Sequence, residues 1–340
     1  MHPLRVGLIG LGSIASKAHL PTLASLAEAG EIEIKALCDL DADRLAEKAA
    51  AYGVPNTYTD HRAMFDREPL DAVYVCIPPT AHTDQITIAA DKGMGVLVEK
   101  PQTLNMAQAV AFDDAIRAAG VVSQVGFMSR YQPASEFIRK ALRVRTPRHA
   151  LVHHLHRGEP RRYWTSRVEL CGGAFVESTI HPVDLLRYFL GDIAAVSAFY
   201  VERPPDAGPE PLNMPYVYNV NFRFAGGVTA NVTTSRCLYE KAGTRQQFLL
   251  VSDDSLLEWT ARQVKENGEV VWEDTEETNP WKRQTGDFIA AVRAGDPTRV
   301  RSPYSEALNS LAAVLGANAS AARGGELVDL ADYTAAATGS

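Results

Sequence analysis

Cysteine is scarce. Four residues, Cys38, Cys76, Cys171 and Cys237, are spread through 340 positions with no CxxC pair among them. That spacing offers neither a zinc ligand set nor a disulfide framework, so no metal is expected and the chain reads as cytoplasmic. Runs of positive charge are missing as well. Lysine and arginine total 34 against 41 aspartates and glutamates, a net charge of -7. With no basic tract and no basic-aromatic stripe, a nucleic-acid partner is not expected. Long apolar stretches are also lacking, and the run near the N-terminus, Leu4-Arg5-Val6-Gly7-Leu8-Ile9, is cut by Gly10 and Gly12. This suits neither a signal peptide nor a membrane span, so no membrane partner is expected. The sequons at Asn231 and Asn318 then have no bearing, because secretion is not indicated.

What is present is a globular composition, 46% hydrophobic, in a chain too long for one ordinary domain. Residues 1–126 alternate short β-branched runs with longer helical patterns, the grammar of a doubly wound parallel sheet of Rossmann type in an α/β protein. Leu4 to Ile9 reads as the first strand and ends in Gly10-Leu11-Gly12-Ser13-Ile14-Ala15. In this GxGxxA turn Gly10 allows the tight bend, Gly12 lets a pyrophosphate approach the backbone, and Ala15 lets the next helix pack close. Ser13 and Ile14 open that helix beside the phosphates. A second strand, Ile32 to Leu37, ends on Cys38-Asp39. A carboxylate there accepts the adenosine ribose hydroxyls and repels a 2′-phosphate. Leu40, not a basic residue, follows, so NAD is expected over NADP. Asp41 is the expected N-cap of a helix to Tyr52, stopped by Gly53.

Ala72 to Ile77 reads as a central strand, and Pro78-Pro79-Thr80-Ala81-His82 follows as a stiff loop over the cofactor crevice. Ile77, Pro78, Thr80 and His82 are cofactor candidates, with His82 equally readable as a structural histidine at a helix start. The strand Val96-Leu97-Val98 stops on Glu99-Lys100-Pro101. In an open α/β sheet the residues just past a strand's carboxyl end line the ligand crevice, which puts Glu99 and Lys100 in the site. Pro101 ends the strand and fixes where Lys100 points, and a cis peptide suits such a turn. The plainer alternative is a surface charge pair. A helix from Asn105 to Ala119, with Gln108 at capping-box spacing, and a sixth strand at Val121 to Val125 complete the unit.

Residues 127–340 change pattern, from repeated strand and helix to alternating strands. Arg130, ahead of a basic helix, is a substrate candidate. Tyr216, Tyr218, Val220, Phe222 and Phe224 share one face of a strand, and Gly226-Gly227 is the expected hairpin turn to Val228 to Ser235. Arg203 to Pro215 is a loop or lid, and closing helices are expected from Trp281 to Arg293 and from Pro303, after an N-cap at Ser302. Between the strands lies Gly172-Gly173-Ala174-Phe175-Val176-Glu177-Ser178-Thr179-Ile180-His181-Pro182-Val183-Asp184. Pro182 is expected as the first helical residue with His181 as N-cap, and Glu177 on the same side if the turn is helical. A carboxylate, a histidine and a remote lysine together can bind and deprotonate a hydroxyl. As metal ligands His181 and Asp184 lack further company. Arg157, Arg161, Arg162 and Arg167, with Tyr163 and Trp164, mark either a substrate entrance or a solvated basic loop.

The Gly10/Gly12 turn, Cys38-Asp39, Ile77 to His82, Glu99-Lys100-Pro101 and Gly172-Gly173 through His181 and Asp184 stand in order across essentially the whole chain. Together they resemble the glucose-fructose oxidoreductase/inositol dehydrogenase/rhizopine catabolism (Gfo/Idh/MocA) family. The resemblance implies an N-terminal Rossmann domain, a C-terminal α/β domain on an open, mainly antiparallel sheet, and a nicotinamide cofactor. It implies that Lys100 and His181 are catalytic, and that the second sheet is a subunit interface in a homodimer or homotetramer. Many members carry Asp where this chain has Glu177 and Gly where it has Thr179, which bears on substrate geometry more than on chemistry.

The leading expectation is an NAD(H)-dependent oxidoreductase acting on a secondary alcohol or ketone of a sugar, cyclitol or related polyol. His181, assisted by Glu177, exchanges the hydroxyl proton, while Lys100 stabilises the developing oxyanion and Glu99 orients its ammonium. Trp164 and Arg162 would contact the polyol. A cofactor-assisted glycosidase or lyase using transient oxidation is the alternative, and a non-enzymatic dinucleotide sensor a third, which retention of Lys100 and His181 opposes.

Overall fold

A computed structural model of the chain describes residues 2–157, 163–204, 212–238 and 245–339. The first compact unit is built on six strands: β1 (Leu4–Ile9), β2 (Ile32–Cys38), β3 (Thr57–Tyr58), β4 (Ala72–Val75), β5 (Gly95–Val98) and β6 (Ser123–Val125). They lie in the order β3-β2-β1-β4-β5-β6, every neighbour parallel. Every residue of β4 and β5 is buried, as continuous apolar strands covered on both faces must be. The strand order reverses between β1 and β4, the switch point at which such sheets bind ligands.

The helices of this unit follow the local signals closely. A π-helical turn, Ala15–His19, leads into α1 (Leu20–Glu28). Next come α2 (Ala42–Tyr52), α3 (His61–Arg67), α4 (Gln85–Asp91) and α5 (Met106–Ala119). The Asp41 carboxylate caps α2 by accepting from the Arg44 N–H at 3.0 Å, and Gly53 ends it in the left-handed conformation, as the sequence predicts. The Lys100-Pro101 peptide is cis.

A single cut at residue 126 does not describe how the chain divides. The first unit takes in 1–103, 108–128 and also 279–306, while the second comprises 104–107, 129–278 and 307–340. The returning helix Pro280–Ala294 places Phe288, Ile289 and Ala291 in the core that contains Leu8, Tyr74 and Leu97. Gly95 explains the close seat, since a Cβ there would stand 2.5 Å from the Val292 side chain. Nothing in the local pattern of residues 280–294 names that destination.

The second unit carries nine strands: β7 (Pro147–Arg157), β8 (Ile193–Val201), β9 (Val217–Phe224), β10 (Thr229–Leu238), β11 (Arg245–Ser252), β12 (Leu256–Trp259), β13 (Gln263–Glu266), β14 (Glu269–Glu273) and β15 (Val328–Asp329). Their order is β14-β13-β12-β11-β7-β10-β9-β8-β15, with only β7 and β10 parallel. Alternation on β9 has the expected faces: Tyr218, Val220, Phe222 and Phe224 are buried, and Asn219, Asn221 and Arg223 are exposed. Helices α6 (Pro133–Ala141), α7 (Val168–Cys171), α8 (Ala174–Glu177) and α9 (Ile180–Leu190) precede the returning helix, α10. Then come α11 (Tyr304–Ala322) and α12 (Leu330–Thr338). The inner face is aromatic: Phe175 of α8 stacks on Tyr218 at 6.0 Å, and Phe189 of α9 meets Phe248 edge-on at 5.8 Å.

Candidate functional site

Gly10 closes the turn after β1 for two reasons. Its φ is +85°, and a Cβ would stand 2.5 Å from the Cys76 carbonyl and 2.8 Å from the Ile77 side chain. The ends of β1 and β4 thus approach as closely as backbone allows. Gly12 is the opposite case: nothing lies within 4 Å of where its Cβ would be. It borders a cavity of about 510 Å³ lined by Leu11, Ser13, Ser16, Arg44 and Lys48 among others. Open space beside a glycine at the first turn of a helix is what an approaching pyrophosphate requires, so the residues fit a dinucleotide. Ser13 and Ile14 stand at that helix start, with Ile77 and Pro78 half-buried and Thr80 exposed across the switch point.

Asp39, at the end of β2, is already occupied. Oδ1 accepts from the Asp41 N–H at 2.9 Å and Arg44 Nη2 at 2.7 Å, and Oδ2 from the Leu11 N–H at 2.7 Å and Arg44 Nε at 3.0 Å. Burial alone would raise its pKa, but Arg44 and the two backbone donors outweigh burial and hold the carboxyl below its ordinary value. The Asp39 carboxylate is therefore shared with a guanidinium and is not an isolated one.

Glu99 and His82 differ from their expected places. Glu99 turns inward: Oε1 lies 2.8 Å from His19 Nε2, and Oε2 accepts the Lys100 N–H at 3.1 Å. It is buried and committed to the protein, so it is withdrawn as a cofactor ligand, and it holds Lys100 through the backbone. His82 is likewise corrected, because its ring is buried beside Phe112, 6.2 Å between centroids, with neither nitrogen hydrogen-bonded among the described residues. Burial pushes its pKa down to about 4. Only its carbonyl is engaged, accepting from Gln108 Nε2 at 3.1 Å.

In the second unit, Gly172 and Gly173 have φ of +75° and +89°, and a Cβ on Gly173 would stand 3.1 Å from the Tyr218 hydroxyl. That hydroxyl accepts the Ala174 N–H at 3.1 Å, starting α8 against the sheet. Glu177 ends α8 and is half-buried. His181 is not an N-cap, since α9 begins at Ile180 after Thr179, and Pro182 falls within the first turn, where its missing N–H is tolerated. Glu177 and His181 thus lie four residues apart on consecutive helical turns. Arg130 is a further correction. At 1% exposure it forms a two-pronged bridge to the fully buried Asp184, Nε to Oδ2 at 2.7 Å and Nη2 to Oδ1 at 2.5 Å, which removes it from substrate contact. Asp184 is a structural anion there, and no cluster of metal-ligating residues occurs among the described residues. Trp164 is half-buried in a short 3₁₀ turn. Arg161 and Arg162 lie outside the described residues, as do the Arg157 side chain and residues 205–211 of the expected lid.

Two family models cover most of the chain: residues 4–127 match an oxidoreductase family with an NAD-binding Rossmann fold, and residues 143–254 match the Gfo/Idh/MocA C-terminal domain. The chain belongs to the Gfo/Idh/MocA oxidoreductase family. It is 28% identical to D-xylose 1-dehydrogenase (NADP(+)) 2 of Haloferax volcanii, over 86% of this chain and 90% of that protein. It is also 28% identical to myo-inositol 2-dehydrogenase of Thermotoga maritima, over 56% of this chain and 55% of that one. Among solved structures, levoglucosan dehydrogenase in complex with NADH and L-sorbose superposes with a TM-score of 0.82 at 20% identity, covering 97% and 99% of the two chains.

Membership of the Gfo/Idh/MocA family does not by itself disclose His19, Arg44 or Arg236. Arg44 was legible as a basic residue five positions after Asp39. His19 carries no local signal beyond being a histidine in an apolar stretch. Arg236, whose Nη2 donates to Ser178 Oγ at 2.7 Å between Glu177 and Thr179, belongs to a strand that reads only as small and polar.

Proposed function

We propose that this family member is a dehydrogenase or reductase that moves a hydride between a nicotinamide dinucleotide and a secondary alcohol or ketone of a sugar, cyclitol or related polyol. The observation that carries the reading is Lys100 at the carboxyl end of β5, one strand from the switch point where Gly10 makes the tight turn and Gly12 leaves room for a dinucleotide. The dinucleotide, held by Gly12, Ser13 and Asp39, supplies the hydride acceptor. Lys100 donates to the reacting oxygen and favours its developing negative charge. His181 exchanges the hydroxyl proton, with Glu177 orienting the hydroxyls around it. The relatives that act on xylose and inositol support a polyhydroxylated substrate.

NAD is the preferred dinucleotide in this reading, because Asp39 remains an anion where a 2′-phosphate would stand. A second reading, use of NADP as well, is favoured by Arg44 on that same carboxylate and Lys48 in the same cavity. The protein acts as a homodimer or homotetramer through the outer face of the second sheet, where Phe199 and Val201 are 59% and 55% exposed. Its cysteines, free thiols at 38, 76, 171 and 237, suit a reducing cytoplasm. The test mixes purified protein with NAD+ or NADP+ and myo-inositol, D-xylose or levoglucosan and follows reduced cofactor by its near-ultraviolet absorbance. Net accumulation supports a dehydrogenase; transformation of substrate without it favours transient oxidation.

A further inference from the structure

The catalytic lysine of the proposed reaction leaves the chain beside a buried glutamate, and the glutamate is held by a residue from another element. His19 ends the π-helical turn Ala15–His19 and is fully buried. Each π-type turn carries one residue more than an α-turn, which rotates the next side chains about the helix axis by roughly 100°. The ring thereby faces β5, with Nε2 at 2.8 Å from Glu99 Oε1 and its edge against Tyr74 at 5.3 Å. Gly126 bounds the pocket from the other side, since a Cβ there would stand 2.6 Å from the same carboxylate oxygen. Glu99 cannot turn away without losing its partner in a dry site, where an unpaired carboxylate is costly. Its other oxygen accepts the Lys100 N–H at 3.1 Å.

We propose that His19 is a positioning residue for Lys100, acting through Glu99. It fixes one carboxylate oxygen so that the other fixes the Lys100 backbone, and so sets the direction in which the ammonium leaves the strand. The inference rests on the reading of Lys100 as catalytic, but its first test does not. Nothing passes along this relay except orientation, because both contacts are hydrogen bonds to the same carboxylate.

Amide hydrogen exchange in the full-length protein compares wild type, His19→Ala and His19→Gln. The Gln side chain can return an N–H to the neighbourhood of Nε2. Two internal references sit beside Lys100: the Glu99 N–H, 2.9 Å from the Val75 carbonyl, and the Val96 N–H, 2.9 Å from the Val122 carbonyl. In His19→Ala, exchange at Lys100 should quicken about tenfold or more with both references within about twofold, and His19→Gln should recover most of it. Equal quickening at all three, or none at Lys100, overturns the proposal. Should His19→Ala fail to fold, Glu99→Gln, which keeps the shape of the side chain, carries the same measurement: selective quickening at Lys100 supports the proposal, and equal or absent quickening overturns it. On whichever polyol the wild type oxidises, His19→Ala should lose about tenfold or more in kcat at unchanged KM for the dinucleotide. Wild-type kcat in that variant also overturns the proposal. If the wild type reduces no cofactor with any polyol, the functional reading fails while the exchange measurement still decides on His19.

Discussion

Arg44 grips Asp39 side-on, with Nε on Oδ2 at 3.0 Å and Nη2 on Oδ1 at 2.7 Å. The residue that should discriminate against a 2′-phosphate is thus tied to one that would attract it. Arg44→Ala should weaken NADPH binding about tenfold or more and leave NADH within a few-fold, since a charge-assisted phosphate contact is lost and ribose contacts are not. Asp39→Ala should narrow the preference for NADH. Fluorescence titration of both cofactors reads the result, and tighter NADPH than NADH binding by the wild type would reverse the role given to Asp39.

Lys100→Ala and His181→Ala should each lower kcat by about 100-fold or more while leaving dinucleotide affinity nearly intact, the usual scale for losing an oxyanion partner or a general acid/base. Single-turnover kinetics on the true substrate is the measurement. Turnover at the wild-type rate in either variant removes that residue from the chemistry.

The bridge between Arg130 and Asp184 is a stability feature. Ser310 Oγ donates to Asp184 Oδ1 at 2.8 Å and in turn accepts from Arg187 Nη1 at 3.0 Å, so removing Arg130 leaves a buried anion short of its main partner. Arg130→Met should cost about 3–5 kcal/mol, read as a lowered thermal midpoint, with KM for the polyol unchanged. A raised KM at wild-type stability would restore Arg130 to the substrate.

Burial of the His82 ring predicts a sensitivity to mild acid. Its pKa is pushed down to about 4 from 6.5 by burial, so between those values the unfolded chain binds the proton more readily. The stabilisation from keeping the ring neutral is complete above pH 6.5 and is lost as pH falls through about 4. The loss is on the order of 3 kcal/mol over that window. His82→Leu should flatten the fall in thermal midpoint over that range. An unchanged slope would mean that other groups carry it.

The second sheet predicts an assembly. Phe199 is 59% exposed with its ring over Gly325, on a face of mixed polarity that also carries Asn219, Asn221 and Arg223. Light scattering should give a multiple of the 37.0 kDa chain, and Phe199→Asp should shift it towards one copy. A wild-type mass of one chain at micromolar concentration would end the proposal.

Much of this protein is determined by near neighbours in the chain and is visible without coordinates. The Gly10/Gly12 turn, the carboxylate ending β2, the cap at Asp41, the unbroken apolar strands and the two faces of β9 all follow from local stereochemistry or a period of two. Lys100 at a strand end and His181 beside Pro182 were legible for the same reason, although the helix starts one residue before His181. Tertiary structure alone decided which distant groups meet. Arg130 has the composition of a binding residue until Asp184, 54 positions later, arrives to neutralise it. His82 reads as a crevice residue until its ring is seen turned into Phe112. Helix 280–294 is amphipathic in any reading, and only the space left by Gly95 shows that it joins the first core. His19 is the sharpest case, because one extra residue in a helical turn redirects its side chain. No residue-type preference records that rotation, and the group His19 reaches, Glu99, lies 80 positions away.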